Sequence, residues 1–323
     1  MSTTEQLRTS AGQHLRTVLL GAAGSAVLFS ASLAVPFIGF IAGFLAAVPL
    51  CYTRLEGGRK TALLATAVAA LLVGIGFNPL AGLWFLAQCG LIGLLLPELA
   101  LRGMAGSRAL LWTTMAATLA SALVAFVMAA TAGQNLLTMA QQEVANGMSQ
   151  ALKLYEQQQG LSPQDLETIK QGLQNIAATL LRILPALGTL NLLLVASISL
   201  LFLRRMAIQR GLTLKVEPFS NFRVPDILIW PLIVAGFSML ATTPLITTPA
   251  LNVLAVLAVL YFCQGLAVLL TMIARTSYAG VLKVMMIAVL LLQPYLAPVV
   301  AFIGIFDLWG DFRTPRTKQE ENL

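Results

Sequence analysis

Residues 226–275 read DILIWPLIVAGFSMLATTPLITTPALNVLAVLAVLYFCQGLAVLLTMIAR. Between the charged ends, Asp226 and Arg275, lie 48 uncharged and mostly apolar residues. A helix that crosses the hydrocarbon layer of a membrane needs about 20 such residues, so this stretch is too long for one spanning helix and long enough for two. Pro244 and Pro249 interrupt it near the middle, where a turn between two helices is expected.

Two intervals in the N-terminal half have the same character. Residues 17–53 and 61–97 each form a run of 37 residues without a charge. Pro36 interrupts the first run and Asn78-Pro79 the second, each near the middle. Each interval therefore predicts two helices that form a tight antiparallel hairpin.

Three more intervals complete the predicted architecture. A fifth helix covers residues 110–132, and residues 183–203 form the sixth. The last uncharged interval, residues 284–306, contains Pro294 and Pro298. It is either one kinked span or a short hairpin, and the hairpin is favoured because it keeps the basic C-terminal tail on the side of the other basic loops. The fold class is an all-α polytopic transmembrane bundle of about nine or ten membrane segments, organised as one integral membrane domain over residues 1–323.

The composition excludes a soluble globular protein. Of the 323 residues, 58% are hydrophobic and 10% are charged, whereas a soluble domain has about 25% charged residues. The three cysteines (Cys51, Cys89 and Cys263) are scattered and form no CxxC pair, and the one histidine is His14 in the N-terminal tail. A disulfide framework and a histidine-based metal site or catalytic triad are therefore not expected.

The basic residues are distributed unequally between the two predicted sides of the bundle. Fourteen of the 20 lysines and arginines fall on the side of the N-terminal tail before the C-terminal tail is counted, and the opposite side has Lys153, Lys170 and Arg182. Loops rich in Lys and Arg face the cytoplasm. We therefore predict a multi-pass protein of the bacterial cytoplasmic (inner) membrane with a cytoplasmic N-terminus. The net charge of +7 is read as a topology signal, so no nucleic-acid partner is expected.

One long polar segment, residues 134–179, lies between the predicted helices five and six. Apolar residues recur in it at helical spacing, and Ser162-Pro163 is typical of a helix start. The segment predicts an extracytoplasmic hairpin of two amphipathic helices joined at Gln159-Gly160. It either packs on the outer surface of the bundle or acts as a moving lid.

Signatures of enzymes and of ion-coupled carriers are missing from the sequence. Residues 57–61 (GGRKT) have the wrong spacing for a phosphate-binding P-loop, and no HExxH or GxSxG motif occurs. Glu98, Asp226 and Asp307 all lie at predicted helix ends, whereas coupled carriers place a carboxylate in the middle of a span. We expect no catalytic residue, no metal site and no cofactor.

Neutral polar side chains do occur inside the predicted spans. An amide in hydrocarbon must find a hydrogen-bond partner, so these side chains either bond between helices or line a pocket for a small neutral or zwitterionic molecule. The candidate pocket residues are Trp84, Gln88, Asn191, Tyr261, Gln264 and Gln293.

Three motifs carry a resemblance to a known family. They read FRVPD at 222–226 with Trp230 following, YFCQGLA at 261–267, and GIFDLWGDFR at 304–313. Together they resemble motifs of the bacterial YybS-like family of uncharacterised multi-pass membrane proteins. The motif residues are Phe222, Arg223, Pro225, Asp226, Trp230, Gln264, Gly265, Asp307, Trp309, Asp311 and Arg313.

The resemblance implies a role connected with transport. The YybS-like family has been grouped, by distant similarity, with the substrate-binding S-components of energy-coupling-factor vitamin transporters. The first hypothesis is accordingly a small-molecule-binding membrane subunit of an uptake system that relies on a separate ATPase. The alternative is a membrane scaffold or assembly factor that does not transport and that organises other envelope proteins.

The motif charges themselves allow two structural interpretations. Asp307 and Asp311 form an ion-pair latch with Arg223, which requires that the last segment doubles back. Alternatively, the C-terminal motif is an interfacial anchor in which Trp309, Phe312 and Arg313 lie at the boundary between membrane and water.

Overall fold

The computed structural model describes residues 3–34, 38–156 and 163–313, and within these ranges it is helical with no β-strand. A helix bonds its own backbone N–H and C=O groups, which is why a hydrocarbon layer tolerates it. The predicted all-α fold is confirmed. The α-helices of the described ranges are α1 (Thr3–Ala34), α2 (Ile38–Leu45), α3 (Val48–Gly76), α4 (Pro79–Phe85), α5 (Leu91–Leu101), α6 (Gly106–Thr131), α7 (Leu136–Glu156), α8 (Pro163–Ile208), α9 (Ile229–Ser238), α10 (Pro244–Ala274), α11 (Ala279–Leu292) and α12 (Ala297–Gly310).

Most of the apolar helices are long enough to cross a membrane. Six segments of the described residues qualify by length and composition: Gly12–Ala34, Ile41–Gly76, Pro79–Leu101, Gly106–Thr131, Glu167–Ile208 and Pro244–Ala274. Three shorter apolar helices are Asp226–Ser238, Ala279–Leu292 and Ala297–Gly310. A helix of 14 residues, the length of α11 and of α12, is about 21 Å long. A hydrocarbon layer is about 30 Å thick, so neither helix crosses it alone.

Two of the predicted breaks between helices are observed at the predicted residues. Asn78 caps α4, and its Oδ1 accepts a hydrogen bond from the N–H of Ala81 at 2.8 Å. Pro244 begins α10. The turn predicted at Pro36 lies outside the described residues. Gly58 kinks α3, because its φ of 77° belongs to the left-handed region that glycine adopts readily.

The polar segment 134–179 contains α7 and the first part of α8. α8 continues to Ile208 over 46 residues, with Pro185 inside it. The predicted second amphipathic helix and the predicted sixth spanning helix are therefore one helix. The predicted junction at Gln159-Gly160 and the predicted cap Ser162 lie outside the described residues.

The described residues group into two compact units. Unit 1 contains the residues up to Leu181 together with Leu187–Val216, and unit 2 contains Arg182–Ala186 together with the residues from Glu217 onward.

In unit 1, α1 packs along α3 through small residues. Gly21 faces α3 so closely that an added Cβ would lie 2.1 Å from Cγ2 of Thr53. Ala22 and Ala26 are buried in the apolar core, and the hydroxyl of Ser25 donates to the carbonyl of Ala46. Close packing of small residues replaces the hydrophobic driving force that helices lack within lipid.

Ion pairs connect several predicted cytoplasmic loops at one end of unit 1. Glu98 accepts from Arg54 at 2.9 Å and from Arg102 at 2.8 Å. Glu56 pairs with Arg210. These contacts join the end of the first predicted hairpin, the end of the second and the end of α8. The distribution of basic residues predicts that these three segments lie on the same side of the membrane. The side of the membrane that this end faces remains a prediction.

In unit 2, α10 and α12 run side by side in the same direction. Gln264 of α10 contacts Asp307 of α12, and the guanidinium of Arg275, which follows α10, donates to the carbonyl of Arg313. Since both helices end at the same end of the unit, α11 between them runs in the opposite direction. α11 ends at Gln293 and a single turn leads into α12. The predicted break of the last interval is thus observed at Pro294–Leu296, and the return of the chain to its original side of the membrane stays a prediction.

Candidate functional site

The side chain of Gln264 lies at the centre of the contacts among the motif residues. It is fully buried on α10, where its Oε1 accepts a hydrogen bond from the backbone N–H of Val224 at 2.9 Å. Its Nε2 donates to Oδ2 of Asp307 at 3.3 Å. The amide therefore joins the loop before α9 to the last helix, and both of its polar atoms have partners.

Asp307 is a fully buried carboxylate near the end of α12. Its Oδ2 lies 3.1 Å from the guanidinium of Arg313, whose side chain is 12% exposed. Its Oδ1 accepts the backbone N–H of Phe312 at 3.2 Å. The left-handed conformation of Asp311, with φ of 35°, turns the chain back toward α12. A buried charge is tolerated when it is paired and hydrogen-bonded in this way.

Arg313 also holds the loop that precedes α9. Its two terminal nitrogens donate to the carbonyl of Ser220 at 3.0 Å and to the carbonyl of Phe222 at 2.8 Å. We refer to Gln264, Asp307 and Arg313 as the C-terminal polar cluster. The cluster connects α10, α12 and the loop 220–224 by hydrogen bonds to charged groups, which are the stronger class.

Two glycines let α10 and α12 approach one another closely. A Cβ added to Gly265 would lie 1.8 Å from the carbonyl oxygen of Val300. A Cβ added to Gly304 would lie 2.0 Å from the carbonyl oxygen of Tyr261. Gly265 of the YFCQGLA motif is therefore required by packing, since a side chain at this position would separate the helices that carry the C-terminal polar cluster.

The predicted latch is half correct. Arg223 pairs with Asp311, with 2.5 Å between its guanidinium and the carboxylate, and both side chains are more than half exposed. Asp307 does not pair with Arg223; its partner is Arg313. The reason is burial, because Asp307 faces α10 inside the unit while Arg223 lies at the surface.

Other motif residues lie on the outside of unit 2. Trp230 is 63% exposed and Trp309 is 69% exposed, and Phe312 is also exposed. Exposed aromatic rings next to charged groups suit the boundary between membrane and water. The anchor interpretation and the latch interpretation therefore apply to different residues of the same segment. Asp226 is exposed at the start of the turn that leads into α9, and Pro225 precedes that turn.

The predicted pocket residues of the N-terminal half belong to unit 1. Trp84 is half-buried on α4 against the apolar core. Gln88 is half-buried in a π-helical turn, Leu86–Gly90, that joins α4 to α5. Asn191 is half-buried on α8. Single π-helical turns inside α-helices are frequent at functional positions. Gln88 therefore stays a candidate ligand-binding residue.

The predicted pocket residues of the C-terminal half belong to unit 2 and differ sharply in environment. Tyr261 is fully buried one turn before Gln264, and its hydroxyl has no hydrogen-bond partner among the described residues. Gln293 is exposed where α11 ends. The structure thus brings Tyr261 and Gln264 together and leaves Gln293 apart from them.

Unit 2 also contains an open apolar cavity of about 370 Å³ that the pocket prediction missed, and its lining residues Met285, Val289 and Val299 are exposed. It lies between α10, α11 and α12, and its lining is apolar. The lining residues are Leu269, Ile273, Leu282, Met285, Met286, Val289, Leu290, Leu296, Val299 and Val300. One stripe along α11 supplies half of them, but α11 is apolar on almost every side, so helical spacing does not single out this stripe in the sequence.

Asn252 of α10 is a further amide in a predicted span, and it forms hydrogen bonds to the backbone of α8. The segment Arg182–Ala186 of α8 contains Pro185, which disrupts the hydrogen-bonding of the helix. Oδ1 of Asn252 accepts the N–H of Ala186 at 2.8 Å, and its Nδ2 donates to the carbonyl of Arg182 at 2.7 Å. The side chain is thereby inserted between two backbone groups that an unbroken helix would join directly. For Asn252, bonding between helices is the observed role.

We expect Gln264→Leu to lower the stability of the protein, while Gln293→Leu changes it little. The first substitution leaves the N–H of Val224 and one carboxylate contact of Asp307 unpaired in a buried place, which costs about 1–3 kcal/mol. The second removes an exposed amide at a helix end, which is worth less than about 0.5 kcal/mol. The measurement is the midpoint of thermal unfolding of the two purified variants in one detergent. Equal midpoints for the two variants would contradict the assigned role of Gln264.

Comparison with known proteins adds one finding. The model of a family described as "Predicted membrane protein (DUF2232)" matches residues 23–308. No curated protein and no solved structure shows significant similarity to the chain. Among the described residues, no group of three or more His, Cys, Asp or Glu side chains is placed to hold a metal ion.

Proposed function

We propose that this chain, which belongs to the DUF2232 family of predicted membrane proteins, is the small-molecule-binding subunit of an uptake system. In this proposal it resembles the S-components of energy-coupling-factor transporters, resides in the bacterial cytoplasmic membrane and relies on a separate ATPase. Residues 57–61 lack the spacing of a P-loop, and in this proposal the partner ATPase supplies the energy for uptake.

The apolar cavity of unit 2 is the observation that carries the proposal. Ligand sites for small molecules have volumes of about 300–1,000 Å³ and mostly apolar walls, and the cavity of about 370 Å³ lies within that range. Met285 and Met286 contribute flexible, polarizable walls that adapt to different shapes. Such a cavity favours a ligand whose larger part is apolar.

Interrupted helices around the cavity support the same function. α11 and α12 are each about 21 Å long, shorter than the hydrocarbon layer is thick, and they meet at the turn Pro294–Leu296. Many membrane transporters form their substrate sites from short or broken helices, because such helices place irregular backbone and cavities within the membrane. The C-terminal polar cluster holds α12 against α10 and so maintains one wall of the cavity.

The test is native mass spectrometry of the protein extracted gently from its own membrane. We expect a bound mass that is lost in Met286→Trp, whose larger side chain fills the cavity, and retained in Met272→Trp, a half-exposed position of α10 outside the lining. Co-purification of an ATPase with the wild-type protein is the second expected result. A wild-type spectrum without any adduct, or an adduct that survives in Met286→Trp, would overturn the proposal.

A scaffold for envelope proteins is the second candidate, and one observation favours it. α7 and the first part of α8 expose apolar side chains, among them Leu136, Leu137 and Ile176. An apolar helical face of this kind suits a docking protein. Stable co-purification of an envelope protein that is lost in Leu137→Asp, together with no bound small molecule, would support the scaffold and exclude the binding subunit.

A further inference from the structure

The long helix α8 contains a break in its backbone hydrogen bonding at Arg182–Ala186. Pro185 has no N–H to donate to the carbonyl of Leu181, and its ring crowds the preceding turn. Arg182–Ala186 groups with unit 2, whereas the parts of α8 before and after it group with unit 1. The helix therefore has two arms that meet at this break, and we call the first of them, residues 163–181, the outer arm.

The amide of Asn252 on α10 occupies the break. Its Oδ1 accepts the N–H of Ala186 at 2.8 Å, and its Nδ2 donates to the carbonyl of Arg182 at 2.7 Å. Nδ2 also donates to the carbonyl of Thr248, one turn earlier on its own helix, at 2.9 Å. In an unbroken α-helix the N–H of one residue bonds to the carbonyl four residues earlier. The amide thus takes the place of one backbone hydrogen bond.

Two arrangements of this break differ little in free energy. With the amide inserted, two hydrogen bonds connect Asn252 to α8. With the amide withdrawn, the N–H of Ala186 bonds directly to the carbonyl of Arg182, as in any α-helix. The net difference is one hydrogen bond, which corresponds to about a two- to tenfold ratio of the two populations. Pro185 favours the inserted amide, because its ring bends the helix and hinders the direct bond.

A small change at the break displaces the outer arm by a large distance. Lys170 lies 15 residues before Pro185, which is about 22 Å along a helix. A kink of about 20°, as an inserted side chain produces, moves this position by about 8 Å. We infer that Arg182–Ala186 is a hinge, that Asn252 holds it bent, and that the outer arm moves when the amide withdraws. This hinge favours the moving lid over fixed packing of the outer hairpin, and it does not depend on which molecule the protein binds.

The experiment measures the distance between two spin labels by double electron–electron resonance, in nanodiscs and in a protein whose native cysteines are replaced by serine. The labels are attached at Lys170→Cys on the outer arm and at Phe77→Cys, an exposed position between α3 and α4 of the same unit. We expect two distances in this parent protein, which differ by up to about 8 Å. Asn252→Leu and Pro185→Ala should each leave one and the same distance, because both substitutions favour the direct bond.

The control is Ser197→Ala in the same helix. It removes a half-buried hydroxyl that bonds to the carbonyl of Leu193, away from the break, and it should keep both distances. A single distance shared by the parent and by both variants would overturn the hinge. A single parent distance that shifts in the variants would reveal a fixed bend and would overturn it as well. If Asn252→Leu yields no folded protein, the distances in Pro185→Ala decide alone.

Discussion

Gly265→Ala is expected to prevent accumulation of the folded protein. The added Cβ would lie 1.8 Å from the carbonyl oxygen of Val300 and 3.0 Å from the backbone nitrogen of Gly304. Both are backbone atoms of α12, so no side-chain rotation relieves the clash, and α12 has to move away from α10. Forcing atoms into a packed contact costs about 1–3 kcal/mol of stability. We expect Gly265→Ala to cost about 3 kcal/mol or more, because the C-terminal polar cluster is separated as well.

The chain provides matched controls for this substitution. Gly236 on α9 and Gly280 on α11 have no atom within 4 Å of an added Cβ. Alanine is the better helix former by up to about 1 kcal/mol, so Gly236→Ala and Gly280→Ala are expected to be neutral or stabilising. Fluorescence-detected size-exclusion chromatography of tagged variants measures the amount of folded protein. A Gly265→Ala protein as abundant as the Gly236→Ala protein would refute the close packing of α10 and α12.

Asp307→Leu is expected to destabilise the protein by about 3–5 kcal/mol, the usual effect of removing one partner of a buried ion pair. Arg313, with a side chain only 12% exposed, would lose its carboxylate. The Nε2 of Gln264 and the N–H of Phe312 would lose their acceptors. The midpoint of thermal unfolding and the folded yield are the measurements.

A second substitution distinguishes an unpaired charge from a simple loss of packing. In Asp307→Leu combined with Arg313→Met, no buried charge remains, so we expect part of the lost stability to return. Asp311→Asn is the control in the same segment, since the exposed pair with Arg223 is worth only about 0–1 kcal/mol. Strictly additive effects of the two substitutions would mean that Asp307 and Arg313 do not interact.

The sequence identified the residues of the C-terminal polar cluster but not their pairing. Gln264, Asp307 and Arg313 all stand in the three motifs, and the doubling back of the last segment follows from the positions of basic residues. The choice between Arg223 and Arg313 as the partner of Asp307 depends on which guanidinium is buried beside it. Burial of that kind is set by the packing of α12 on α10, which a single sequence does not contain.

The apolar cavity was missed for a different physical reason. A pocket prediction from sequence looks for polar side chains in an apolar stretch, and Gln264 meets that criterion. Its amide, however, is hydrogen-bonded to Val224 and Asp307 and does not face a pocket. The cavity is lined by leucine, valine and methionine, and in a membrane protein these residues also face lipid. Only the short length of α11 and α12, signalled by Pro294 and Pro298, distinguishes the cavity from an ordinary lipid-facing surface.

The doubling back of α11 and α12 is the central claim, because the cavity and the C-terminal polar cluster both depend on it. The direct test is labelling of single cysteines with a membrane-impermeant maleimide on intact cells, in a protein whose Cys51, Cys89 and Cys263 are replaced by serine. We predict that Ser277→Cys and Asp311→Cys are both protected, since they lie at the same end of unit 2, and that Thr242→Cys, before α10, is labelled. Labelling of Asp311→Cys together with Thr242→Cys, while Ser277→Cys is protected, would contradict the account.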